Sequence, residues 1–249
     1  MSALAHYLED EGIATVCISL FRPHSECMTP PRSLWVPFEL GRPLGEPNHP
    51  AFQSETLRAA LDLLENSRQP GLITDFPLDA PSAVDDPDWV SPAHLDGEAL
   101  PGNGDEQSLR AALLTEIEAV RPCYDAAITR LGRTTVGNSR MSVEAAAAYI
   151  CGYAAGRRPI SPVADMQPAV ALRFAVDDLK TYYLEALASG QGRPSSRQLA
   201  NWFWDRTVAA RIICLTRSVC LKSEDRLTRA VANGQLVPGE QLRRLAGNR

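Results

Sequence analysis

The chain has 249 residues, of which 45% are hydrophobic and 22% are charged, values typical of a soluble protein with a self-supporting core. Lys and Arg number 25 against 30 Asp and Glu, a net charge of −5, which argues against a nucleic-acid-binding protein built on a general basic field. No apolar run approaches the roughly 20 residues needed to span a bilayer, and the N-terminus lacks the basic start of a signal peptide. We therefore expect a cytoplasmic protein without membrane or nucleic-acid partners.

The N-terminal part alternates between helical and extended patterns. A helix, a strand rich in β-branched residues, a polar loop and a second strand are predicted in that order over residues 2–10, 13–20, 22–32 and 33–40. Pro37 lies inside the second strand, and proline cannot donate a ladder hydrogen bond. An edge position or an early strand end is therefore expected there.

The next segments contain turns, one helix and a long connection. Residues 41–50 hold several Gly and Pro residues and predict a loop, residues 51–66 have helical spacing, and residues 72–76 suit a short strand. Residues 77–104 are acidic and proline-rich, which is typical of a surface loop or linker.

From residue 105 onward the pattern is helical throughout. Cap signals start three of the helices: Ser142, Ser161 followed by Pro162, and Ser195 with Gln198 three residues later. The predicted helices cover residues 105–131, 143–155, 161–187, 195–221, 223–233 and 238–246.

Together these elements predict a helix-dominated protein in two parts. Residues 1–76 form an α/β segment with a small, mostly parallel sheet, residues 77–104 form the linker, and residues 105–249 form an α-helical lobe. A sheet of two or three strands leaves unpaired edges that another subunit can cover. We therefore expect an oligomer.

One N-terminal stretch carries a family resemblance. The residues concerned are a helix end with the following strand, an arginine before an apolar run, a Gly-Arg-Pro-Leu-Gly-Glu-Pro loop, and the helix after it: residues 8–13, 16–20, Arg32, 41–47 and 57–61. About a quarter of the chain thereby resembles the C-terminal part of component B of the glycine, sarcosine, betaine and D-proline reductase family, with the Pro-Leu-Gly-x-Pro element as the most specific part.

The resemblance implies a role in reductive C–N bond cleavage. In the family, a cysteine or selenocysteine redox motif lies immediately before the helix that corresponds to residues 3–10, and the present sequence has no counterpart of it. Three interpretations stay open. Another chain supplies the thiol or selenol, another cysteine of this chain has taken over, or the scaffold serves binding alone.

Cys27 is the thiol that sequence favours as a participant. It follows His24 by three residues and precedes Arg32 by five, and a neighbouring positive group lowers a thiol pKa. The alternative is a surface cysteine beside unrelated polar residues.

The loop after the second strand is the best candidate for substrate binding. Gly41 and Gly45 allow a ligand to approach the backbone, and Arg42 can bind a carboxylate with two hydrogen bonds. The loop also leads into a helix N-terminus, where anions are favoured. Arg32, before the second strand, and Arg133, in a second polar loop, are further substrate-binding candidates that could complete an anion site. Rigid connections are the alternative interpretation of both loops.

Two further kinds of site are weaker. His24, Cys27, His49 and His94 could serve a metal-dependent enzyme, but they lack a recognisable ligand spacing, so no metal or cofactor is assigned. Acid–base chemistry in the helical lobe would require carboxylates such as Asp178, Glu185 or Asp205 to converge.

The leading hypothesis is a component-B-like subunit of a cytoplasmic reductase system. It would act on a small anionic, amino-acid-like substrate, as a homo-oligomer or with a redox-active partner subunit that supplies the thiol or selenol. The alternative is a noncatalytic binding or assembly subunit.

Overall fold

The computed structural model describes residues 2–67, 70–95, 99–100, 104–187 and 189–247. It divides into two compact units. The first unit contains the described residues up to Asp86 together with Pro194–Ser196, and the second contains Pro87–Arg193 and the chain from Arg197 onward. A small parallel sheet near the N-terminus and many helices confirm the helix-dominated α/β class.

The first unit is a βαβαβ arrangement preceded by one helix. Its elements are α1 Ser2–Asp10, β1 Cys17–Ser19, α2 Arg22–Met28, β2 Arg32–Trp35, α3 Pro50–Asn66, β3 Leu72–Asp75 and a 3-10 helix Pro81–Ala83. The strands are parallel in the order β1-β2-β3, and Ile18, Leu34 and Thr74 lie side by side across them.

The core of the first unit lies between this sheet and α3. Leu34, Val36 and Phe38 occupy alternate positions along the chain and are buried, as expected for one face of an extended segment. Phe38, Phe52 and Phe76 form a cluster with ring centroids 5.4–6.0 Å apart. The cluster lies where the chain continues beyond the carboxyl ends of β2 and β3.

Two expectations for this unit need correction. The predicted polar loop 22–32 contains helix α2, because Pro23 fits the first helical turn and Thr29 ends the helix in the left-handed region at φ 42°. Strand β1 has only three residues instead of the predicted eight. For Pro37 the second expected alternative, an early strand end, is confirmed: β2 is central in the sheet and ends at Trp35, two residues before the proline.

The predicted linker 77–104 contributes to both units. Ala80 is buried in the core of the first unit, whereas Ala93 is buried in the core of the second. The boundary between the units follows Asp86.

The remaining helices are α4 Glu106–Leu131, α5 Val143–Ala154, α6 Pro168–Leu187, α7 Ser196–Arg206, α8 Val208–Cys220, α9 Arg226–Gly234 and α10 Gly239–Gly247. Side-chain caps begin several of them, as in α4, where the Ser108 N–H donates to Asp105, and α5, where the Ala145 N–H donates to Ser142. Helices α4, α5, α6 and α8 pack around an apolar core. Within the described residues no helix is both long and apolar enough to cross a membrane.

One predicted helix start is wrong, and one predicted helix is divided in two. Ser161 bonds locally to Val163 instead of capping a helix, and α6 begins at Pro168, where proline again occupies a first-turn position. The predicted helix 195–221 is two helices, because Thr207 interrupts it and caps α8 by accepting the Ala210 N–H.

A buried glutamate of α4 completes the start of α8. The Glu116 carboxylate accepts the Val208 N–H at 2.6 Å, the Ala209 N–H at 2.9 Å and the Tyr183 hydroxyl at 2.7 Å. A helix N-terminus leaves N–H groups without intrahelical partners and attracts negative charge. Burial raises the pKa of Glu116, and these hydrogen bonds offset the rise only in part.

Candidate functional site

The sequence-predicted site residues of the first unit lie on the connections around its sheet. Parallel strands place their carboxyl ends at one edge, where Ser19 ends β1 and Trp35 ends β2. The chain leaves this edge into α2 after β1, and into the loop of residues 41–49 after β2. We call this end of the sheet, where the carboxyl ends of the strands lie, the carboxyl edge. Ligands of open α/β sheets bind there as a rule.

The Gly-Arg-Pro-Leu-Gly loop folds as two consecutive turns. The Arg42 N–H donates to Glu39 O and the Gly45 N–H donates to Arg42 O, both at 2.9 Å. Gly45 is buried with φ +82°, and a Cβ atom there would lie 2.5 Å from the Phe52 ring. Glycine at this position is therefore required by the backbone and by the packing of the loop. Gly41 also has a positive φ of +89°, but the space around it is open.

Arg42 is exposed at the turn of this loop. Its guanidinium lies 3.5 Å from the Glu39 carboxylate, and both side chains are about 40% exposed, at 43% and 38%. An exposed ion pair of this kind contributes about 0–1 kcal/mol. A ligand carboxylate can therefore compete with Glu39 for the guanidinium.

The N-terminus of α3 carries its own cap. His49 Nδ1 accepts the Phe52 N–H at 3.3 Å, and His49 O accepts the Gln53 N–H at 3.0 Å. The Gln53 side chain in turn donates to Glu46 O. Because protein groups occupy these N–H donors, Arg42 is the main anion-binding group that the loop offers.

His24 and Cys27 lie on α2, three residues apart and both exposed, a spacing that places them on the same side of a helix. Helix α2 returns the chain from the carboxyl end of β1 toward the amino end of β2. Cys27 is near the end of α2 and therefore lies toward the amino ends of the strands, whereas Arg42 lies at the carboxyl edge. The structure does not bring these two candidates together.

Arg32, the first residue of β2, has a structural role. Its guanidinium donates to Glu9 at 2.6 Å, to Thr15 O at 3.3 Å and to Ser67 O at 3.2 Å. Arg32 thereby connects the end of α1, the approach to β1 and the end of α3. Burial of Glu9 raises its pKa, but the hydrogen bonds from Thr15 and Arg32 outweigh this and lower it overall.

Sequence reasoning missed an ion-pair cluster at the carboxyl edge. Arg22, at the start of α2, pairs with Asp75 at the end of β3 and with Glu26 one turn later. Its guanidinium also lies 5.6 Å from the centroid of the Trp35 ring. The Arg22–Glu26 spacing was visible in the sequence, but 53 residues separate Arg22 from Asp75. The carboxylates neutralise Arg22, so Arg42 is the more available cation at this edge.

The cysteines differ sharply in their environments. Burial raises the pKa of Cys17 and Cys214, and raises that of Cys151 to about 12 and that of Cys220 to about 11. A thiol with a raised pKa is a poor nucleophile, because the thiolate is the reactive species.

The other two thiols are less deeply enclosed. The half-buried Cys123 donates to Pro92 O at 3.4 Å, and Cys27 is exposed. All six cysteines lie in described residues, and Cys27 is the one that is freely accessible.

The loop of Arg133 in the second unit is held by carboxylates of α6. Glu185 accepts hydrogen bonds from Thr134 and Thr135, and Asp178 accepts the Asn138 and Ser139 N–H groups. Arg133 is itself exposed beside Glu185. The third carboxylate considered for acid–base chemistry, Asp205, instead pairs with Arg244 at 2.7 Å. These carboxylates anchor protein groups and do not converge.

In the part of the chain that the structure describes, no group of three His, Cys, Asp or Glu side chains is placed to hold a metal ion. The histidines considered for a metal site have other positions: His49 caps α3, and His24 lies on α2. His94 is exposed and belongs to the second unit.

Comparison with known proteins adds no relative. No family model matches the chain, and no curated protein or solved structure matches it.

Proposed function

We propose that the chain is a component-B-like subunit of a reductase system that acts on a small anionic, amino-acid-like substrate. A partner chain supplies the redox thiol or selenol. The family resemblance of the N-terminal segment suggests the chemistry. The observation that carries the proposal is the state of the thiols. Four of the six cysteines have pKa values raised by burial. The accessible Cys27 lies toward the amino ends of the strands, away from Arg42 at the carboxyl edge.

The role of this chain is to hold the substrate carboxylate. A guanidinium can bind a carboxylate through two parallel hydrogen bonds, and Arg42 has only a weak exposed pair with Glu39 to give up. The turn fixed by Gly45 against Phe52 holds the backbone that presents Arg42. Reductive cleavage consumes two electrons, which the partner's dithiol or selenol–thiol pair provides by forming a disulfide or selenenyl sulfide.

Substrate binding tests this assignment directly. Isothermal titration with glycine, sarcosine, betaine and D-proline is expected to show saturable binding of at least one, and Arg42→Gln should weaken it about tenfold. Arg58→Gln is the matched control, because Arg58 is an exposed arginine of α3 in the same unit. Equal affinities for the two variants would exclude Arg42 as the binding group. Absence of binding to the unmodified chain would exclude a substrate site formed by this chain alone.

The partner is tested separately. Affinity capture from the native organism followed by gel filtration should give a stable complex with a chain bearing a Cys or Sec redox motif. Cys27→Ser should leave turnover of that complex unchanged. Loss of turnover in Cys27→Ser with substrate affinity retained would instead assign the redox thiol to this chain.

A specific observation also favours a noncatalytic assembly role. Leu4 and Tyr7 of α1 are 52% and 72% exposed and lie together on one side of that helix. Strands β1 and β3 form the edges of the described sheet, and edge strands invite pairing with another chain. A self-sufficient oligomer that neither binds the tested carboxylates nor reacts through its thiols would favour this function.

A further inference from the structure

A two-chambered cleft lies in the second unit, between the ends of α5 and α8 and the start of α9. Helix α5 ends at Ala154, and the chain turns at Gly156, which has φ +79°, into Arg157 and Arg158. Helix α8 ends at Cys220 and connects to α9 through Lys222 and Ser223. The first chamber has a volume of about 240 Å³ and is lined by these basic residues with Ser223, Tyr153 and Thr228. We call it the basic chamber.

Two of its cations are available to a ligand. Arg157 pairs with Glu106, whereas neither Arg158 nor Lys222 forms an ion pair within the described residues. The Asp225 carboxylate caps α9 by accepting the Thr228 N–H at 2.7 Å and the Thr228 hydroxyl at 2.6 Å. The hydrogen bonds from Thr228 lower the pKa of Asp225, and Arg158 is close enough to lower it further. Lys222 therefore faces the chamber without an ion-pair partner among the described residues, and Asp225 compensates Arg158 only in part.

The helix ends oppose this positive charge only in part. The C-termini of α5 and α8 each contribute about half a negative charge. Their last carbonyls already accept N–H groups of the turns, since Gly156 donates to Tyr153 O and Lys222 donates to Val219 O. Two full positive charges with two half negative charges leave the basic chamber cationic.

The second chamber is mostly apolar, although Asp225 and Gln167 also line it. It has a volume of about 330 Å³ and shares Tyr153, Arg158 and Thr228 with the basic chamber. Its other walls include Pro159, Pro168, Ile160 and Leu227. Ile160 is 86% exposed and Leu227 is 37% exposed, so apolar side chains line an open wall. We call this space the apolar chamber.

Tyr153 lies between the two chambers and lines both of them. Its side chain is 4% exposed and packs edge to face against Tyr149. Burial raises the pKa of Tyr153, with Arg158 nearby acting in the opposite direction. Its hydroxyl therefore stays protonated at neutral pH, and the ring provides a rigid wall to both chambers.

We propose that this cleft binds a small amphipathic anion. A carboxylate or phosphate head group lies in the basic chamber with Arg158 and Lys222, and an apolar or aromatic body lies against Ile160 and Leu227. The chamber volumes are those of a small-molecule site, in which a few placed polar groups orient an apolar ligand. This site is independent of the carboxyl edge of the first unit, and it stands or falls without the reductase proposal.

Four probes separate the contributions of head group and body. Titration calorimetry with phenyl phosphate, phenylacetate, inorganic phosphate and benzyl alcohol should show the tightest binding for one of the two aromatic anions. That anion should bind at least about tenfold more tightly than inorganic phosphate or benzyl alcohol. Whichever aromatic anion binds more tightly identifies the head group, and either result supports the proposal.

Variants then locate the site. Arg158→Gln and Lys222→Gln should each weaken the aromatic anion about tenfold, and Ile160→Ser should weaken it while leaving inorganic phosphate unchanged. Arg130→Gln is the control, because Arg130 is an exposed arginine of α4 that lines neither chamber. All four positions are exposed, so the variants are expected to fold, which circular dichroism checks.

Three results would overturn the proposal. The first is no saturable binding of either aromatic anion up to about 10 mM. The second is equal affinity in Arg158→Gln, Lys222→Gln and Arg130→Gln. The third is benzyl alcohol binding as tightly as the aromatic anions, which would show that the anionic group contributes nothing.

Discussion

Arg22 and Arg42 of the first unit are held in the opposite way to Glu116 and Asp178 of the second. In the first unit, the ion pairs of Arg22 and Arg42 lie at the surface, with both members of each pair more than a third exposed. In the second unit, Glu116 and Asp178 are 7% and 1% exposed, and backbone N–H groups satisfy them. A carboxylate in a helical sequence can indicate acid–base catalysis, but here Glu116 stabilises the start of α8 and Asp178 stabilises the loop at residues 138–139.

This difference teaches where a ligand can act. A buried carboxylate with three hydrogen bonds cannot exchange its partners without leaving donors unsatisfied. An exposed guanidinium with one long ion pair can exchange at little cost. The Arg42 guanidinium of the first unit can therefore exchange Glu39 for another anion at little cost, whereas Glu116 and Asp178 of the second unit stabilise the helical bundle.

The strongest test of the comparison removes the buried carboxylate of α4. Glu116→Ala should lower the free energy of unfolding by about 3–4 kcal/mol, because two N–H groups of α8 and the Tyr183 hydroxyl lose their acceptor in a buried place. Glu118→Ala is the matched control on the same helix. Its side chain is 63% exposed, and the expected loss is about 0.5 kcal/mol.

Urea unfolding followed by far-ultraviolet circular dichroism measures both variants. Losses of similar size for Glu116→Ala and Glu118→Ala would contradict a structural role for the buried carboxylate, and the contrast between the units would fail with it.

Local signals explain which parts of the fold were predictable. The helix at α3 and the cap at Ser142 follow from spacing and from residues within one turn of each other. Helix α2 was missed because Pro23 was interpreted as a loop residue, although proline is accepted in a first helical turn.

Long-range contacts explain what the sequence did not show. Thr207 caps α8 locally, but the Val208 N–H at the same helix start donates to Glu116, 92 residues earlier in the chain. The Arg22–Asp75 pair at the carboxyl edge likewise joins distant segments. The position of the Arg42 loop after β2 was predictable, but the separation of Cys27 from it depends on α2, whose existence was not predicted.

A second test asks whether the turn that presents Arg42 is as rigid as its packing indicates. Gly45→Ala should destabilise the first unit by about 3 kcal/mol, because alanine is strained at φ +82° and its Cβ would meet the Phe52 ring. Gly41→Ala should cost only about 1–2 kcal/mol, since φ +89° is strained but the surrounding space is open.

The Val36 amide reports on this unit, because it donates to Ser19 O beside the sheet. Its nuclear magnetic resonance signal can be followed through urea unfolding in both glycine variants. A Gly41→Ala loss as large as that of Gly45→Ala would show that contact with Phe52 does not determine the loop.

The smallest expected effect is on the pH dependence of stability. Glu9 in the first unit and Glu116 in the second should contribute to it with opposite signs. Both glutamates start from an ordinary pKa of 4.5. The folded pKa of Glu9 is lowered, so its stabilisation of the first unit is present above 4.5 and is lost as pH falls through the folded value. The folded pKa of Glu116 is raised by burial, so its contribution is complete below 4.5 and declines as pH rises through the folded value.

Hydrogen-exchange protection factors, which correct for the intrinsic exchange rate, separate the two units. As pH falls below 4.5, the protection factor of the Leu34 amide should decrease. Glu9→Gln should remove this pH dependence. Glu11→Gln, at a neighbouring exposed position, should retain it. The change is expected to stay below about 1 kcal/mol, because the Glu9–Arg32 pair is partly open to solvent. Above pH 4.5 the protection of Leu179 should decrease as pH rises, and Glu116→Gln should flatten that decline. If the two amides respond to pH with the same sign, Glu9 and Glu116 are not held in opposite ways.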